Sequence, residues 1–318
     1  MDRPMITVCV TTYNQTNYIR RCLESVLDQK VAADLEILVG DDCSDDGTSD
    51  IISAIAAEYP GRLMHLRHSP RIGASTNTQQ LLQRASGHYI AKLDGDDYWL
   101  PGKLQGQLQF LADHPECVAV YTNALTVDKD DRPIGIFNDF GDRTFDLSEL
   151  LRGGNFLNNS SMMLRAELKQ PWLALTGPLL DYRVHLLHAQ QGFLGHIGQP
   201  FVVYRVASSG SMVVNDATNV RSLYWEAVQS VPRHLISERV LAQGMANFYC
   251  RVISRAVRTR NLKLVKVWWP EIRRASPYGA LRITTVIFRE CLRIVGTRLL
   301  ALFKWGTGGR RPRVMYRR

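Results

Sequence analysis

The chain has 318 residues, 45% hydrophobic and 22% charged, enough to bury a sizeable core and inconsistent with disorder throughout. Its net charge of +9 is unevenly divided: Arg221–Arg318 holds 21 Lys and Arg against four acids, a net of +17, and the rest of the chain nets −8. An acidic front and a basic rear imply two different jobs.

The first 125 residues alternate two patterns. Short β-rich runs stand at 5–12, 35–40, 62–67, 88–93 and 118–123. Helical patterns fall between them at about 15–28, 48–58, 74–85 and 101–113. In the first of these, Ile19, Leu23, Val26 and Leu27 share a face. Such alternation predicts an α/β fold, a mostly parallel sheet with helices on both faces. Sheets of that kind bind ligands at the carboxyl ends of their strands. TYN (12–14 with its Thr), DDCSDDGT (41–48), RIG (71–73) and DGDD (94–97) all follow strands, so all are expected on one sheet edge.

Later, DKDDRP (128–133) reads as a turn, SSMMLR (160–165) and FVVYRV (201–206) as strands, and LDYRVHLLHAQ (180–190) as a helix. From about 220 the chain reads as helical with frequent Arg, and the last ten residues, GRRPRVMYRR, as a flexible tail. The expected division is a catalytic domain over 1–219 and a helical, basic region over 220–318. None of the six cysteines is paired as C-x-x-C, which favours reduced, buried thiols in a cytosolic protein over a zinc site or a disulfide framework. The apolar stretch Met5–Val10 is too short for a signal peptide, and Leu281–Phe303 is too often interrupted by charge to span a membrane.

The stretch IAKLDGDDYW (90–99) sets Asp94, Asp96 and Asp97 within four positions at a strand end. Carboxylates so close suit a hard divalent cation that leaves room for diphosphate oxygens. An Asp-Gly pair also makes solvated turns; the strand before it and KLQGQLQFL after it favour a site. DDCSDDGT resembles the start of an EF-hand loop, but position twelve is Ser53 and a strand precedes it, so that match fails. Ser44 or Asp45 is expected to cap the helix that begins near Thr48. Walker, dinucleotide-binding, zinc-protease and nucleophile-elbow signatures are absent from the sequence.

VTTYNQTNYIRRCLESVLDQ, LEILVGDDCSDDGTSDII, RIGASTN and GHYIAKLDGDDYWLPGKLQGQLQFL, in that order, resemble a family 2 glycosyltransferase of the GT-A fold. The likeness is strongest over the first 125 residues and continues weakly to about Met212. It implies transfer of a sugar from a nucleotide diphosphate sugar of UDP, dTDP or GDP type to an acceptor hydroxyl, with inversion. It implies that Thr11, Tyr13 and Asn14 line the nucleotide pocket, that Asp42 contacts the base, and that Asp41 braces that loop. Arg71 and Asn77 follow as donor contacts, Asp94 as a ribose or metal contact, and Asp96 as the ligand of Mg²⁺ or Mn²⁺, with Asp97 in the same metal shell. The general base matches Asp181, which a helix start alone would also favour. Many members carry a His where Ala207 stands, so Arg205 or Ser208 is the alternative hold on the diphosphate. His185, His188 and His196 read as structural.

The segment LRITTVIFRECLRIVGTRLLALF mixes apolar residues with Arg, as an amphipathic helix on an anionic membrane does. A helical subdomain with solvent-facing Arg fits the same pattern. Nucleic acid is not expected, because no recognition module accompanies the charge. The sequence therefore favours a cytoplasmic transferase, peripheral at the inner face of the membrane, acting on a glycan or lipid-linked acceptor in bacterial surface-glycan synthesis. The competing readings are an inactive sugar-nucleotide scaffold and a nucleotidyltransferase on a related fold.

Overall fold

Strand β1 (Met5–Thr12) is buried without a break from Ile6 to Val10, as a central strand covered on both faces must be. In the computed structural model, which describes residues 5–206, 217–304 and 313–316, β1 pairs in parallel with β2 (Asp34–Asp41) and β4 (Tyr89–Asp94). Strand β2 pairs in parallel with β3 (Leu63–Arg67). Helices α1 (Ile19–Leu27), α2 (Thr48–Glu58), α3 (Ala74–Arg84) and α4 (Lys103–Asp113) make the crossovers. The apolar stripe of α1 buries Ile19, Cys22, Leu23 and Val26. This front half is the parallel sheet read from the sequence.

The rear half is different. After β5 (Tyr98–Trp99), the long β6 (Cys117–Val127) folds back through the 128–132 turn to pair antiparallel with β7 (Pro133–Asn138). Strand β8 (Arg143–Phe145) and helix α5 (Leu147–Gly153) follow. Strand β9 (Met163–Arg165) is antiparallel to both β4 and β6. Helices α6 (Gln170–Leu173) and α7 (Asp181–Ala189) lead to β10 (Phe193–Arg205), parallel to β6 and antiparallel to β5 and β8. The sheet is mixed overall, because a short polar turn can join only antiparallel neighbours.

The basic region is helical: α8 (Ala217–Gln229), α9 (Glu238–Arg258), α10 (Lys263–Ala275) and α11 (Ala280–Lys304). Rings of Trp225, Phe248 and Trp268 stack at 5.0–6.3 Å between α8, α9 and α10. Their cluster is continuous with Leu38, Leu81, Tyr121 and Leu186 of the front half, so one hydrophobic core crosses position 219/220. All six cysteines are free.

The tail differs from its reading as flexible. Arg313–Tyr316 forms β11, parallel to β7 at the sheet edge, with Val314 opposite Ile136 and Tyr316 opposite Asn138. The Tyr316 ring packs on Phe137 at 4.9 Å. A free edge strand and an apolar seat outweigh the charge of the surrounding tail. Residues 309–312 and 317–318 of that tail lie outside the described residues.

Candidate donor and catalytic site

The register places the strand ends level. Thr12 lies opposite Asp41, and Thr11 lies opposite Asp94, so the loops after β1, β2 and β4 open on one edge. Gly95 is required there, because a Cβ would run into Gln15 and Thr12.

The three neighbouring carboxylates have three different fates. Asp94 Oδ1 receives Lys92 Nζ at 2.6 Å and Thr11 Oγ1 at 3.1 Å, and Oδ2 receives Ser160 Oγ at 3.2 Å. Burial opposes ionisation of Asp94, but the Lys92 charge together with the bonds from Lys92, Thr11 and Ser160 outweighs it and holds the carboxyl below its ordinary range. Asp97 is buried; its Oδ2 receives Ser160 Oγ at 2.5 Å and its Oδ1 the Arg205 amide at 2.8 Å. Burial, then the charges of Asp96 and Asp94, push its carboxyl far up. Asp97, expected in the metal shell, is therefore an internal acceptor with both oxygens taken. Asp96 is half-buried, and its backbone carbonyl accepts from Arg205 Nε at 3.0 Å. The cation between the carboxylates is thus partly the protein's own: Lys92 neutralises one acid, and burial another.

Arg205 does not fit its expected role. Its guanidinium donates to the Asp96 and Asp128 carbonyls and to Asp131 Oδ1 (2.7 Å), and stacks on Tyr18. It braces the DGDD turn, and its side chain is buried with all three nitrogens already engaged. Ala207 and Ser208 lie outside the described residues.

The nucleotide side is organised by bonds between loops. Asn14, at φ 52°, receives Asp45 N on its Oδ1 and donates Nδ2 to Asp45 Oδ1. Asp41 is fully buried; it accepts from Ser44 N at 2.9 Å and from Ser49 Oγ. Burial works against its ionisation, yet the nearby His65 ring, 3.6 Å away, and bonds from Ser44 and Ser49 hold it well below the usual carboxylate range. Helix α2 is led in by Asp46, which accepts Thr48 N, whereas Ser44 and Asp45, the expected caps, bond Asn14. Asn77 is buried between Gly40 O and His68 Nε2. Asp42 accepts the amides of Ile72 (2.7 Å) and Gly73 and the Arg71 Nε at 3.3 Å. Arg71 lies 3.7 Å over the Tyr13 ring. Asn14, Asp41 and Asn77 are therefore spent on the scaffold, and so is Asp42, expected to contact the base but buried with both oxygens taken, while Tyr13 and Arg71 form one surface.

Asp181 is the first residue of α7 and is exposed. Desolvation by the protein around it, followed by the charge of Asp94, pushes its carboxyl up to about 7. The fold thus brings Asp181 into electrostatic reach of Asp94 from 87 residues further along the chain. His185, His188 and His196 are buried, and burial pushes them down to about 3, 3 and 4, so they stay neutral.

Lys92 and Ser160 were not anticipated. Strand alternation gave a signal for Lys92, since it shares a face with Asp94 two residues on. Ser160 gave none, because its role depends on a loop 63 residues from Asp97.

The family model of glycosyl transferase family 2 matches residues 7–168. The chain belongs to that family. Among curated relatives, Rv1520 of Mycobacterium tuberculosis is 29% identical over 223 residues, 70% of this chain and 64% of its own. TuaG of Bacillus subtilis, named a putative teichuronic acid biosynthesis glycosyltransferase, is 33% identical over 135 residues, 42% of this chain and 52% of its own. The chain thus spans less than two thirds of the length of these relatives. Among solved structures, TarS 1–349 of S. aureus with UDP-GlcNAc superposes with a TM-score of 0.64 at 16% identity, covering 96% of this chain and 92% of its own. The mannosyltransferase PcManGT of Pyrobaculum calidifontis, with GDP-Man and Mn²⁺, superposes with a TM-score of 0.54 at 19% identity, covering 94% and 88%. These likenesses give the family a GT-A fold here.

Proposed function

We propose that this glycosyltransferase moves a sugar from a UDP, dTDP or GDP sugar to an acceptor hydroxyl with inversion, using Mg²⁺ or Mn²⁺. The observation that carries this reading is the division of labour at DGDD, with Asp94 paired to Lys92, Asp97 turned to Ser160, and Asp181 in electrostatic reach of Asp94. Among the described residues, no three His, Cys, Asp or Glu side chains form a preformed metal cage. That fits a cation held by one or two carboxylates and completed by substrate phosphates and water. Asp96 and the open side of Asp94 would hold it; when bound it offsets charge on the departing nucleoside diphosphate.

The chain's own residues account for the rest. Tyr13 and Arg71 offer a stacking face to a nucleobase, with Asp42 holding Arg71 in place. Asp181 takes the acceptor's proton as the hydroxyl oxygen bonds to the anomeric carbon and the bond to diphosphate breaks. A single displacement of this kind inverts the carbon. The sugar nucleotides bound by TarS and PcManGT support a nucleotide-sugar donor, and the Mn²⁺ in PcManGT supports the cation. The name of TuaG supports an acceptor in cell-surface glycan synthesis.

We assign the basic helices to an anionic membrane surface at the inner face. Leu281, Phe288, Leu292 and Val295 of α11 are 52–85% exposed and share one face, beside Arg282 and Arg289. Ile283 and Ile287 on its other face are buried in the core. Among the described residues no helix is long and apolar enough to cross a membrane. Full-length protein is expected to sediment with phosphatidylglycerol vesicles, and Phe288→Glu with Leu292→Glu to remain in solution. Equal sedimentation of both would remove the membrane from this account.

The donor site is tested by thermal unfolding. One of UDP, dTDP and GDP is expected to raise Tm only with Mn²⁺, by about 2.7 kcal/mol of stability at a hundredfold excess over Kd. The rise is expected to vanish in Asp96→Ala. No rise with any nucleotide would contradict the donor site.

A further inference from the structure

Helix α11 turns a stripe at helical spacing towards α9: Ile283, Ile287 and then Cys291. The two isoleucines are buried, whereas Cys291 is only partly so. Facing the stripe on α9 stand Asn247 and Cys250, both buried. Polar contacts hold the seam as well as packing. Asn247 Nδ2 donates to Glu290 Oε1 at 3.2 Å, and Cys250 Sγ lies 3.6 Å from the Ile287 carbonyl oxygen. Beside these, the Sγ atoms of Cys250 and Cys291 meet at 2.8 Å. Cys9, Cys22 and Cys117 are buried in β1, α1 and β6, and among the described residues no other two cysteines are in hydrogen-bonding contact.

We propose that Cys250 and Cys291 are a redox-active pair, and that a hydroperoxide joins them in a disulfide that fastens α11 to α9. As a hydrogen bond the contact contributes little, because a thiol is a weak donor and a weak acceptor. As a reactive pair it is well placed: a covalent S–S bond of about 2 Å is reached with about 1 Å of movement. The two thiols also differ in access. Burial pushes the Cys250 thiol up and seals it, which makes it a poor first nucleophile, while Cys291 is open to a small oxidant. Cys291 sulfur, as thiolate, attacks one peroxide oxygen; the O–O bond breaks, and a sulfenic acid and one water result. Cys250 sulfur then bonds to Cys291 sulfur, and the sulfenic hydroxyl leaves with the Cys250 proton as a second water. Two thiols have lost two electrons and two protons, and the peroxide has been reduced to water. The bond closes a loop that holds α10, 41 residues from one cysteine to the other. Closing it removes open conformations from the unfolded chain, so the linked protein is the more stable one.

The bonds of both thiols stay within the seam, so the test needs no sugar donor. Full-length protein is treated with a small excess of hydrogen peroxide and digested with trypsin without reductant. The expected product joins the peptide 240–251 to the peptide 290–293 and is lighter than the two together by two hydrogens. The oxidised protein is expected to melt about 5 °C above the same protein after dithiothreitol. Peroxide also oxidises methionine, which dithiothreitol does not restore, so reversal by dithiothreitol isolates the link. Identically treated Cys291→Ser is expected to show neither the joined peptide nor the reversible rise in Tm. Should that variant not fold, Cys291→Ala carries the same control. A wild type in which Cys250 stays free, whether Cys291 is unreacted, over-oxidised or linked elsewhere, overturns the proposal. So does a joined protein whose Tm does not rise.

Discussion

Asp181→Asn is expected to slow transfer by about 10²–10⁴-fold, the usual contribution of a positioned general base, while leaving donor binding intact. Asparagine keeps the shape and loses the proton acceptor. The pH dependence carries a second signature. In the free protein desolvation, then Asp94, pushes the Asp181 carboxyl up to about 7. A base works only when ionised, so kcat/KM is expected to fall as pH drops through this value. Positive charge bound at Asp96 opposes the Asp94 effect and moves the acid limb below 7. The same shift has a stability sign. A carboxyl whose pKa is raised on folding contributes stability fully below its unfolded value of 3.8, and loses it as pH rises towards 7. Asp181→Asn is therefore expected to have a higher Tm than wild type at pH 8 and no such advantage at pH 4. A variant that is slow but shows no pH-dependent gain in Tm would show that Asp181 is not held in the desolvated, Asp94-facing environment described.

Lys92→Met is expected to destabilise the fold by about 3 kcal/mol, the low end for breaking a buried ion pair. The low end applies because the Lys92 side chain is 4% exposed whereas Asp94 is 35% exposed and can rehydrate. Without the ammonium, Asp94 keeps only the Thr11 and Ser160 hydroxyls, beside a buried Asp97. Thr11 loses a partner as well, since Lys92 Nζ donates to its hydroxyl at 2.7 Å. A lower urea midpoint with unchanged slope measures the loss. Lys92→Met as stable as wild type would show that Asp94 needs no fixed counter-charge.

These two residues show what the sequence could disclose. The parallel half was legible because each strand is a short apolar run and each helix a periodic one, and local pattern is all that such elements need. The antiparallel half was less so. Strand β5 is two residues long, β8 and β9 three each, and their pairing partners lie tens of residues away. Strand β11 lies in a charged tail whose fate is decided by Phe137 and the open edge of β7. The site divides the same way. DGDD was legible as a cluster, but its three acids are equivalent in one dimension. Ser160 and the Arg205 amide decide that Asp97 turns inward, and neither is local to it. Asn14 and Asn77 stand where donor contacts were expected, yet their amides are consumed in joining loops.

The measurement that tests the central claim most directly is nucleoside diphosphate release from UDP-, dTDP- and GDP-linked sugars with Mn²⁺, in wild type, Asp96→Ala and Asp181→Asn. The account predicts release by the wild type from one donor class and loss in both variants, with donor binding kept only in Asp181→Asn. Release by Asp96→Ala at the wild-type rate, or by Asp181→Asn at the wild-type rate, would contradict it.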